Sequence, residues 1–141
     1  MPSLEIFVDT SGWASLVDRS QPHHDAAARS YHGLRQQGKK AVTTNYVITE
    51  LVALLHSPLR LPRTRIVSIV EGVRTSPYVE FVHVDASLDE DSWQLLKKRT
   101  DKDWSLVDCA SFVVMQQRGI NEALTTDHHF EQAGFVRLLK P

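Results

Sequence analysis

The amino-acid sequence predicts an α/β fold in which helices cover both faces of a central, largely parallel sheet. Short apolar segments with β-branched or aromatic residues alternate along the chain with longer segments whose apolar residues recur at helical spacing. Strands and helices that alternate in this way form parallel sheets, because right-handed crossovers join successive strands. Two of the short segments also run directly into hydroxyl residues and an aspartate, at the point where the ligand crevice of an open parallel sheet lies.

The strands are predicted where β-branched or aromatic residues are flanked by turn residues. They cover residues 4–8, 41–43, 79–84, 122–125 and 135–138. Helices are predicted at residues 11–18, 22–37, 46–56, 64–73, 87–98 and 105–117, followed by a short helix that ends at residue 133. Thr44 or Asn45 is a suitable N-cap for the third helix, and Gly38 and Gly119 are suitable stops for the second and the sixth.

The composition predicts one globular domain over residues 1–141, with 42% hydrophobic and 23% charged residues. The net charge of −1 provides no general attraction for nucleic acid, so such a partner has to be recognised locally. Cys109, the single cysteine, lies in an apolar helix, where it fits a small core residue of a protein in a reducing compartment. No signal peptide and no apolar run of membrane-spanning length is present, and we expect a cytoplasmic protein with no membrane contact.

Four acidic side chains are the candidates for a functional site. Asp9 and Asp127 follow the first and fourth predicted strands, so both lie at the carboxyl edge of the sheet if these strands are central and parallel. Glu50 lies at the margin of the apolar face of the third helix, at the rim of the core and not fully in water. Asp108 lies early in a helix that is apolar nearly all round. One topology therefore brings all four acids to the same edge.

Each acid alone also has a purely structural interpretation. Asp108 completes a capping-box pattern that begins at Ser105, and Asp127 and Asp9 are each placed to cap the short helix that follows. Glu50 fits a half-exposed helix position. Four partly buried carboxylates, however, repel one another and take up protons unless a cation compensates them. A divalent metal such as Mg²⁺ or Mn²⁺, which prefers oxygen ligands and promotes hydrolysis of phosphodiesters, accounts for the whole group.

These motifs resemble those of the PIN-domain ribonucleases, and most closely those of the VapC-type toxins of bacterial toxin-antitoxin pairs. The resemblance spans the chain from end to end, with the motifs in the family's order. They are residues 8–11 (VDTS), Glu50 in a Thr-Glu-Leu stretch, residues 104–109 (WSLVDC) and residues 124–130 (LTTDHHF). The resemblance implies a three-layer α/β/α fold with four or five parallel strands in the order 3-2-1-4-5.

The same resemblance implies endonucleolytic cleavage of RNA with Mg²⁺ or Mn²⁺ as cofactor. The implied catalytic and metal-binding quartet is Asp9, Glu50, Asp108 and Asp127. Hydroxyl side chains that would support these acids or contact the substrate are Thr10, Ser11, Ser105 and Thr126. A cognate antitoxin protein and a second copy of the chain, in a homodimer, are the expected protein partners.

Two other functions are compatible with parts of the pattern. Asp9 at a strand end, followed by Thr10, also fits the phosphoacceptor of an Asp-based phosphoryl-transfer domain of the haloacid-dehalogenase or receiver type. The dehalogenase motif, however, needs a second Asp where this chain has Ser11. The second alternative is a non-catalytic binding module of the same fold, in which the acids are idle. Absence of Mn²⁺ binding in a titration would favour that module.

Basic residues and histidines give weaker signals. Arg60, Arg63 and Arg65 form the best local basic patch and are candidates for contact with the RNA backbone, with a solvated helix start as the alternative. No His-x₃-His or Cys-x₂-Cys spacing exists, and we expect the adjacent His128 and His129 to point to different sides of a helix, so zinc is not predicted. His129 lies close to Asp127, so contact with the substrate is one interpretation, and a surface residue is the preferred one.

Overall fold

A computed structural model describes residues 4–141 of the chain. At its centre lies a sheet of five parallel strands in the order β3-β2-β1-β4-β5. The strands are β1 Glu5–Val8, β2 Lys40–Thr44, β3 Val79–Val82, β4 Glu122–Leu124 and β5 Val136–Arg137. β1 is central, and its residues Phe7 and Val8 are fully buried, as expected for a strand covered on both faces. The predicted parallel sheet and its strand order are confirmed.

Helices connect the strands close to the predicted positions. In the described part of the chain they are α1 Thr10–Val17, α2 His24–Gln36, α3 Asn45–His56, α4 Arg63–Thr75, α5 Ala86–Lys98, α6 Leu106–Arg118 and α7 His129–Gln132. From β1 the chain moves outward to β2 and β3, and it then crosses back to β4 and β5 on the other side of β1. Right-handed crossovers in these two directions place α1 to α4 on one face and α5 to α7 on the other, which gives the predicted three-layer α/β/α arrangement.

Side-chain hydrogen bonds explain where the predicted boundaries are wrong. The third strand ends at Val82 and not at residue 84, because the Val84 amide donates to Asn45 Oδ1 at 2.6 Å instead of to a neighbouring strand. The second helix begins at His24 and not at residue 22. It is preceded by a turn in which Asp18 accepts hydrogen bonds from the Ser20 amide and hydroxyl. Polar side chains thus competed with regular structure for backbone groups.

Aromatic packing joins the sheet to the second helical layer. The rings of Phe112 in α6 and Phe130 in α7 meet edge to face, with centroids 4.9 Å apart, and Phe130 lies 6.3 Å from Phe7 in β1. All three side chains are buried, and each contributes about 1.5–3 kcal/mol of hydrophobic free energy. Cys109 is also fully buried, and burial, together with the charge of Asp108, raises the pKa of its thiol to about 11. Its prediction as a core residue is confirmed.

Across residues 4–141, no helix combines the length and the apolar character that crossing a membrane requires.

Candidate active site

The strand order determines where a ligand can bind. The connections leave β1 and β4 in opposite directions, so the gap between these two strands is the topological switch point of the sheet, where open α/β sheets bind ligands. A cleft of about 400 Å³ opens there, beyond the carboxyl ends of both strands. Acidic and hydroxyl side chains form most of its lining, which consists of Asp9, Thr10, Ser11, Glu50, Leu54, Thr126 and Asp127.

Asp9 is the most deeply buried of the four candidate acids, with 4% of its surface exposed. Its Oδ2 accepts a hydrogen bond from Thr125 Oγ1 at 3.0 Å, whereas Oδ1 is buried with no partner among the described residues. Its side chain makes no capping bond to α1, so the capping interpretation of this residue is wrong. The pKa of Asp9 is raised to about 7, mainly by burial. The Thr10 amide opposes this increase, and the negative charges of Asp108 and Glu50 add to it.

Asp108 serves as a cap and also faces the other acids. Its Oδ2 accepts from the Ser105 amide at 3.0 Å while Ser105 Oγ accepts from the Asp108 amide at 3.0 Å, so the predicted capping box is confirmed. Burial raises the pKa of Asp108; the Ser105 amide opposes the change, the charge of Asp127 adds to it, and His129 opposes it. The electrostatic effects therefore connect all four acids, since Asp108 and Glu50 act on Asp9 and Asp127 acts on Asp108.

Glu50 and Asp127 form the more open side of the cleft. Glu50 is exposed, more so than the predicted position at the rim of the core, but its carboxylate accepts a hydrogen bond from the Thr10 hydroxyl. His128, which precedes α7, already has helical backbone angles, and Asp127 Oδ1 accepts from the His129 amide at 2.9 Å. Asp127 therefore caps the helix from one residue before His128, in agreement with the capping interpretation. Both carboxylates still line the cleft.

The hydroxyl that donates to the buried carboxylate of Asp9 belongs to Thr125, which the sequence analysis did not single out. Thr125 is fully buried, and its Oγ1 contacts Asp9, accepts from the Asp127 amide at 3.0 Å and lies 3.1 Å from Ser11 Oγ. Ser11 accepts from the Thr126 amide at 3.0 Å. Thr126 lines the cleft, but the hydroxyl that hydrogen-bonds to an acid of the site belongs to its neighbour Thr125. The register that pairs Val8 with Leu124 places Thr125 beside Asp9, and only this pairing could have identified it.

Gly12 allows α1 to lie against the end of β4. A Cβ atom at this position would lie 2.1 Å from the carbonyl oxygen of Leu124, a separation that no side chain tolerates. The close approach lets the first turn of α1, which carries Thr10 and Ser11, reach the segment after β4. The sequence alone could not reveal this role of Gly12, because its packing partner, Leu124, is distant along the chain.

His129 is less exposed than its interpretation as a surface residue suggests, with 20% of its side chain accessible. Its Nδ1 lies 3.2 Å from Asp108 Oδ2 and 3.3 Å from Asp127 Oδ1. The expectation that His128 and His129 point to different sides is wrong, because their ring centroids are 4.5 Å apart and His128 Nδ1 lies 3.8 Å from the same Asp127 oxygen. His128 precedes the regular part of α7, so helical periodicity does not separate the two rings.

The arginine patch is not brought into the cleft lining. Arg60, Arg63 and Arg65 are exposed. Arg65 Nη2 donates to the carbonyl of Val17 at 3.2 Å, at the end of α1 that lies away from Asp9. At 1.5 Å per residue the length of that helix is about 12 Å. Contact of these arginines with RNA stays a prediction.

The side chains of the cleft fit a hard divalent cation. Within the described part of the chain, the buried Oδ1 of Asp9 has no partner, and burial and neighbouring acids raise the pKa of this carboxyl. A bound cation would compensate both effects. Carboxylate and hydroxyl oxygens are the ligands that Mg²⁺ and Mn²⁺ prefer. The donor set is therefore consistent with the predicted metal.

Comparison with known proteins decides the family. The sequence model of the PIN domain matches residues 6–136 of the chain. The chain belongs to the PIN-domain family. Its curated relatives include the 23S rRNA-specific endonuclease VapC20 of Mycobacterium tuberculosis, from strains CDC 1551 / Oshkosh and ATCC 25618 / H37Rv. Each is 35% identical over 133 residues, which cover 94% of this chain and 97% of the relative.

Solved structures agree with this assignment. The crystal structure of Mycobacterium tuberculosis VapC20, described as a toxin that cleaves the sarcin-ricin loop, superposes with a TM-score of 0.83 at 33% identity, over 96% of this chain and 99% of that one. FitAcB from Neisseria gonorrhoeae superposes with a TM-score of 0.67 at 16% identity, over 94% and 95% of the two chains, and shares the fold. The predicted membership of the PIN family and the predicted resemblance to VapC-type toxins are confirmed.

Proposed function

We propose that this PIN-domain protein is an endoribonuclease toxin of the VapC type, which hydrolyses RNA phosphodiester bonds with the help of Mg²⁺ or Mn²⁺. The observation that carries the proposal is the group of four interacting carboxylates at the switch point of the sheet, where one buried oxygen of Asp9 has no partner among residues 4–141. Full-length similarity to VapC20 supports the reaction class. We further propose that residues 1–141 act as one nuclease domain in the cytoplasm.

The acids divide into two pairs by their surroundings. Asp9 and Asp108 are buried and held by Thr125 and Ser105, so their carboxylates are fixed before a metal binds. Glu50 and Asp127 line the open side, where they complete the site directly or through water. When bound, a divalent metal polarises a phosphodiester and lowers the pKa of a coordinated water. The contribution of the chain is to hold four carboxylates in place and to leave an open cleft for a phosphate.

The substrate that we propose is a structured loop of ribosomal RNA. VapC20 is named as specific for 23S rRNA and as cleaving the sarcin-ricin loop, and this chain is similar to it over nearly its whole length. The exposed Arg60, Arg63 and Arg65 are proposed to contact the RNA backbone outside the cleft. A protein with a net charge of −1 needs such a local cationic surface to bind a polyanion.

Two protein partners complete the proposal. We propose that a cognate antitoxin binds the protein and silences it, and that two copies of the chain associate as a homodimer. Co-purification of a small protein encoded beside the gene, and the mass of the purified protein in solution, test these two statements separately.

The proposed function is tested by sequencing RNA 5′ ends after brief expression. The wild-type chain should generate new ends at one or a few positions in ribosomal RNA, and Asp9→Asn should not. Asp103→Asn is the matched control, because Asp103 is an exposed aspartate outside the cleft. Equal cleavage by wild type and Asp9→Asn in clean preparations would refute the role of the acids.

Titration with Mn²⁺ then separates the nuclease from the alternatives. If the protein is a nuclease, the wild-type chain should give a heat of Mn²⁺ binding that is lost in Asp9→Asn. If it is a binding module with idle acids, no such heat should be observed. The phosphoryl-transfer alternative predicts a covalent acyl phosphate on Asp9. It has little support, because Ser11, where a dehalogenase needs its second Asp, holds the Thr126 amide.

A further inference from the structure

We propose that Asp108, Asp127, His128 and His129 form a binding site for a zinc ion at the edge of the acidic cleft. This site differs from the Mg²⁺ or Mn²⁺ site in its nitrogen ligands. It shares two of the four acids, Asp108 and Asp127, with that site. Asp9 and Glu50 take no part in it.

Three separations between donor atoms are close to those in a tetrahedral zinc site. Zinc bonds of about 2.0–2.1 Å at the tetrahedral angle place neighbouring ligand atoms roughly 3.3–3.4 Å apart. His129 Nδ1 lies 3.3 Å from Asp127 Oδ1 and 3.2 Å from Asp108 Oδ2, and His128 Nδ1 lies 3.8 Å from Asp127 Oδ1. One donor atom from each of Asp127, His128 and His129 lies within 4.8 Å of the others. These three residues form the core of the proposed site, and Asp108 joins it through its contact with His129.

Most of the site is held in place without a metal. Asp127 Oδ1 accepts the His129 amide at 2.9 Å, and Asp108 Oδ2 accepts the Ser105 amide at 3.0 Å. The side chains of Asp108 and His129 are 10% and 20% exposed, so packing restricts them. The side chain of His128 is 64% exposed and provides the mobile ligand on the solvent side. Because three ligands are fixed in advance, binding orders little more than one exposed ring.

The types of ligand determine which metal ion the site binds most tightly. Imidazole nitrogen suits zinc, copper and nickel, whereas Mg²⁺ prefers oxygen ligands alone and keeps several waters. Two histidines beside two carboxylates therefore favour zinc over Mg²⁺. A zinc ion held here engages Asp108 and Asp127 and removes them from the proposed catalytic group. Zinc should then inhibit Mg²⁺-dependent cleavage, a consequence that rests on the proposed function.

Zinc binding is tested on the full chain, after chelator treatment, with Co²⁺ as a spectroscopic substitute. Four-coordinate Co²⁺ absorbs visible light far more strongly than the aqueous ion does. We expect one Co²⁺ per chain with such a band, and stoichiometric zinc should displace it. His128→Asn should weaken binding at least about tenfold, since loss of a residue that only supports a ligand already costs 10–100-fold.

Two control variants locate the ion. His83→Asn removes an exposed histidine elsewhere on the surface and should leave the band unchanged. Asp9→Asn disrupts the proposed Mg²⁺ site only, and the band should again persist. No band in the wild-type chain, a band that survives His128→Asn at full affinity, or a band that Asp9→Asn removes would each overturn the proposal. His128 is exposed, so folding of that variant is not in question.

Inhibition is measured separately, relative to the rate of each variant without zinc. The zinc concentration that halves Mg²⁺-dependent cleavage should rise at least about tenfold in His128→Asn and stay unchanged in His83→Asn. A Co²⁺ band without zinc inhibition would refute the competition between the two sites. A band in a chain that cleaves no RNA would refute the proposed function and leave the zinc site supported.

Discussion

Asp9 should make the metal-free protein lose stability as the pH rises. Burial raises the pKa of this carboxyl from its ordinary value of 3.8 to about 7. Below pH 4 the group is protonated in both the folded and the unfolded state. Between pH 4 and pH 7 the unfolded chain releases the proton and the folded chain retains it, so the free energy of unfolding falls with rising pH. Above pH 7 the full loss is reached.

The size of the effect follows from the two pKa values. At about 1.4 kcal/mol per pKa unit, the increase of the Asp9 pKa from 3.8 to about 7 lowers the free energy of unfolding by about 4 kcal/mol. Asp9→Asn removes the charge and keeps an acceptor for Thr125. At pH 8 without metal, this variant should therefore be more stable than the wild type by about 4 kcal/mol, or on the order of 10 °C in Tm. At pH 4 the difference should vanish.

Thermal melts of wild type, Asp9→Asn and the control Asp103→Asn, from pH 4 to pH 8 in chelator, measure this difference. Addition of Mn²⁺ at pH 8 should raise the Tm of the wild type, because the cation binds the ionised folded state, and should raise that of Asp9→Asn much less. At 100 times the dissociation constant, bound cation contributes about 2.7 kcal/mol. Parallel pH curves for wild type and Asp9→Asn would refute the raised pKa, and equal responses to Mn²⁺ would refute the role of Asp9 as a ligand.

Two further substitutions probe the support of the site. Thr125→Val removes the hydroxyl that donates to the Asp9 carboxylate and accepts from the Asp127 amide. Mn²⁺ binding should therefore weaken about tenfold, and the free energy of unfolding should fall by about 1–3 kcal/mol. The control Thr75→Val, at an exposed helix position, should change neither quantity. Gly12→Ala places a Cβ atom against the Leu124 carbonyl and should destabilise the fold by more than about 2 kcal/mol. The control Gly33→Ala, at a helical position with open space around it, should stabilise the fold by about 0.5–1 kcal/mol. Calorimetry and chemical denaturation give the values, and an unchanged Gly12→Ala would show that α1 does not need its close contact with β4.

The strands, the helices and the places of the four acids along them were predictable because they depend on local patterns, whereas the strand order was implied by the family resemblance. Strands that end in a carboxylate and alternate with amphipathic helices are recognisable segment by segment, and the resemblance to the PIN family then arranges them. The capping box at Ser105 and Asp108 is likewise a local pattern, and the structure contains it. Each of these features involves residues that are near one another along the chain.

Features that depend on pairing between distant segments were not predictable in the same way. Thr125 contacts Asp9 only because Val8 pairs with Leu124, and Gly12 is needed only because α1 crosses close to the same residue. The convergence of His128 and His129 depends on side-chain orientation ahead of a short helix, where helical periodicity does not apply. The end of the third strand was misplaced because Asn45, nearly forty residues away, takes the amide of Val84.

Capping and metal binding, which were weighed as competing interpretations of Asp108 and Asp127, are compatible. A carboxylate has two oxygens. The cap uses Oδ2 in Asp108 and Oδ1 in Asp127, so the second oxygen of each side chain takes no part in it. A backbone amide that holds one oxygen restricts the rotation of the carboxylate and lowers the entropy lost when the carboxylate binds a cation. A helix cap on Asp108 or Asp127 is therefore compatible with the proposed metal site and does not count against it.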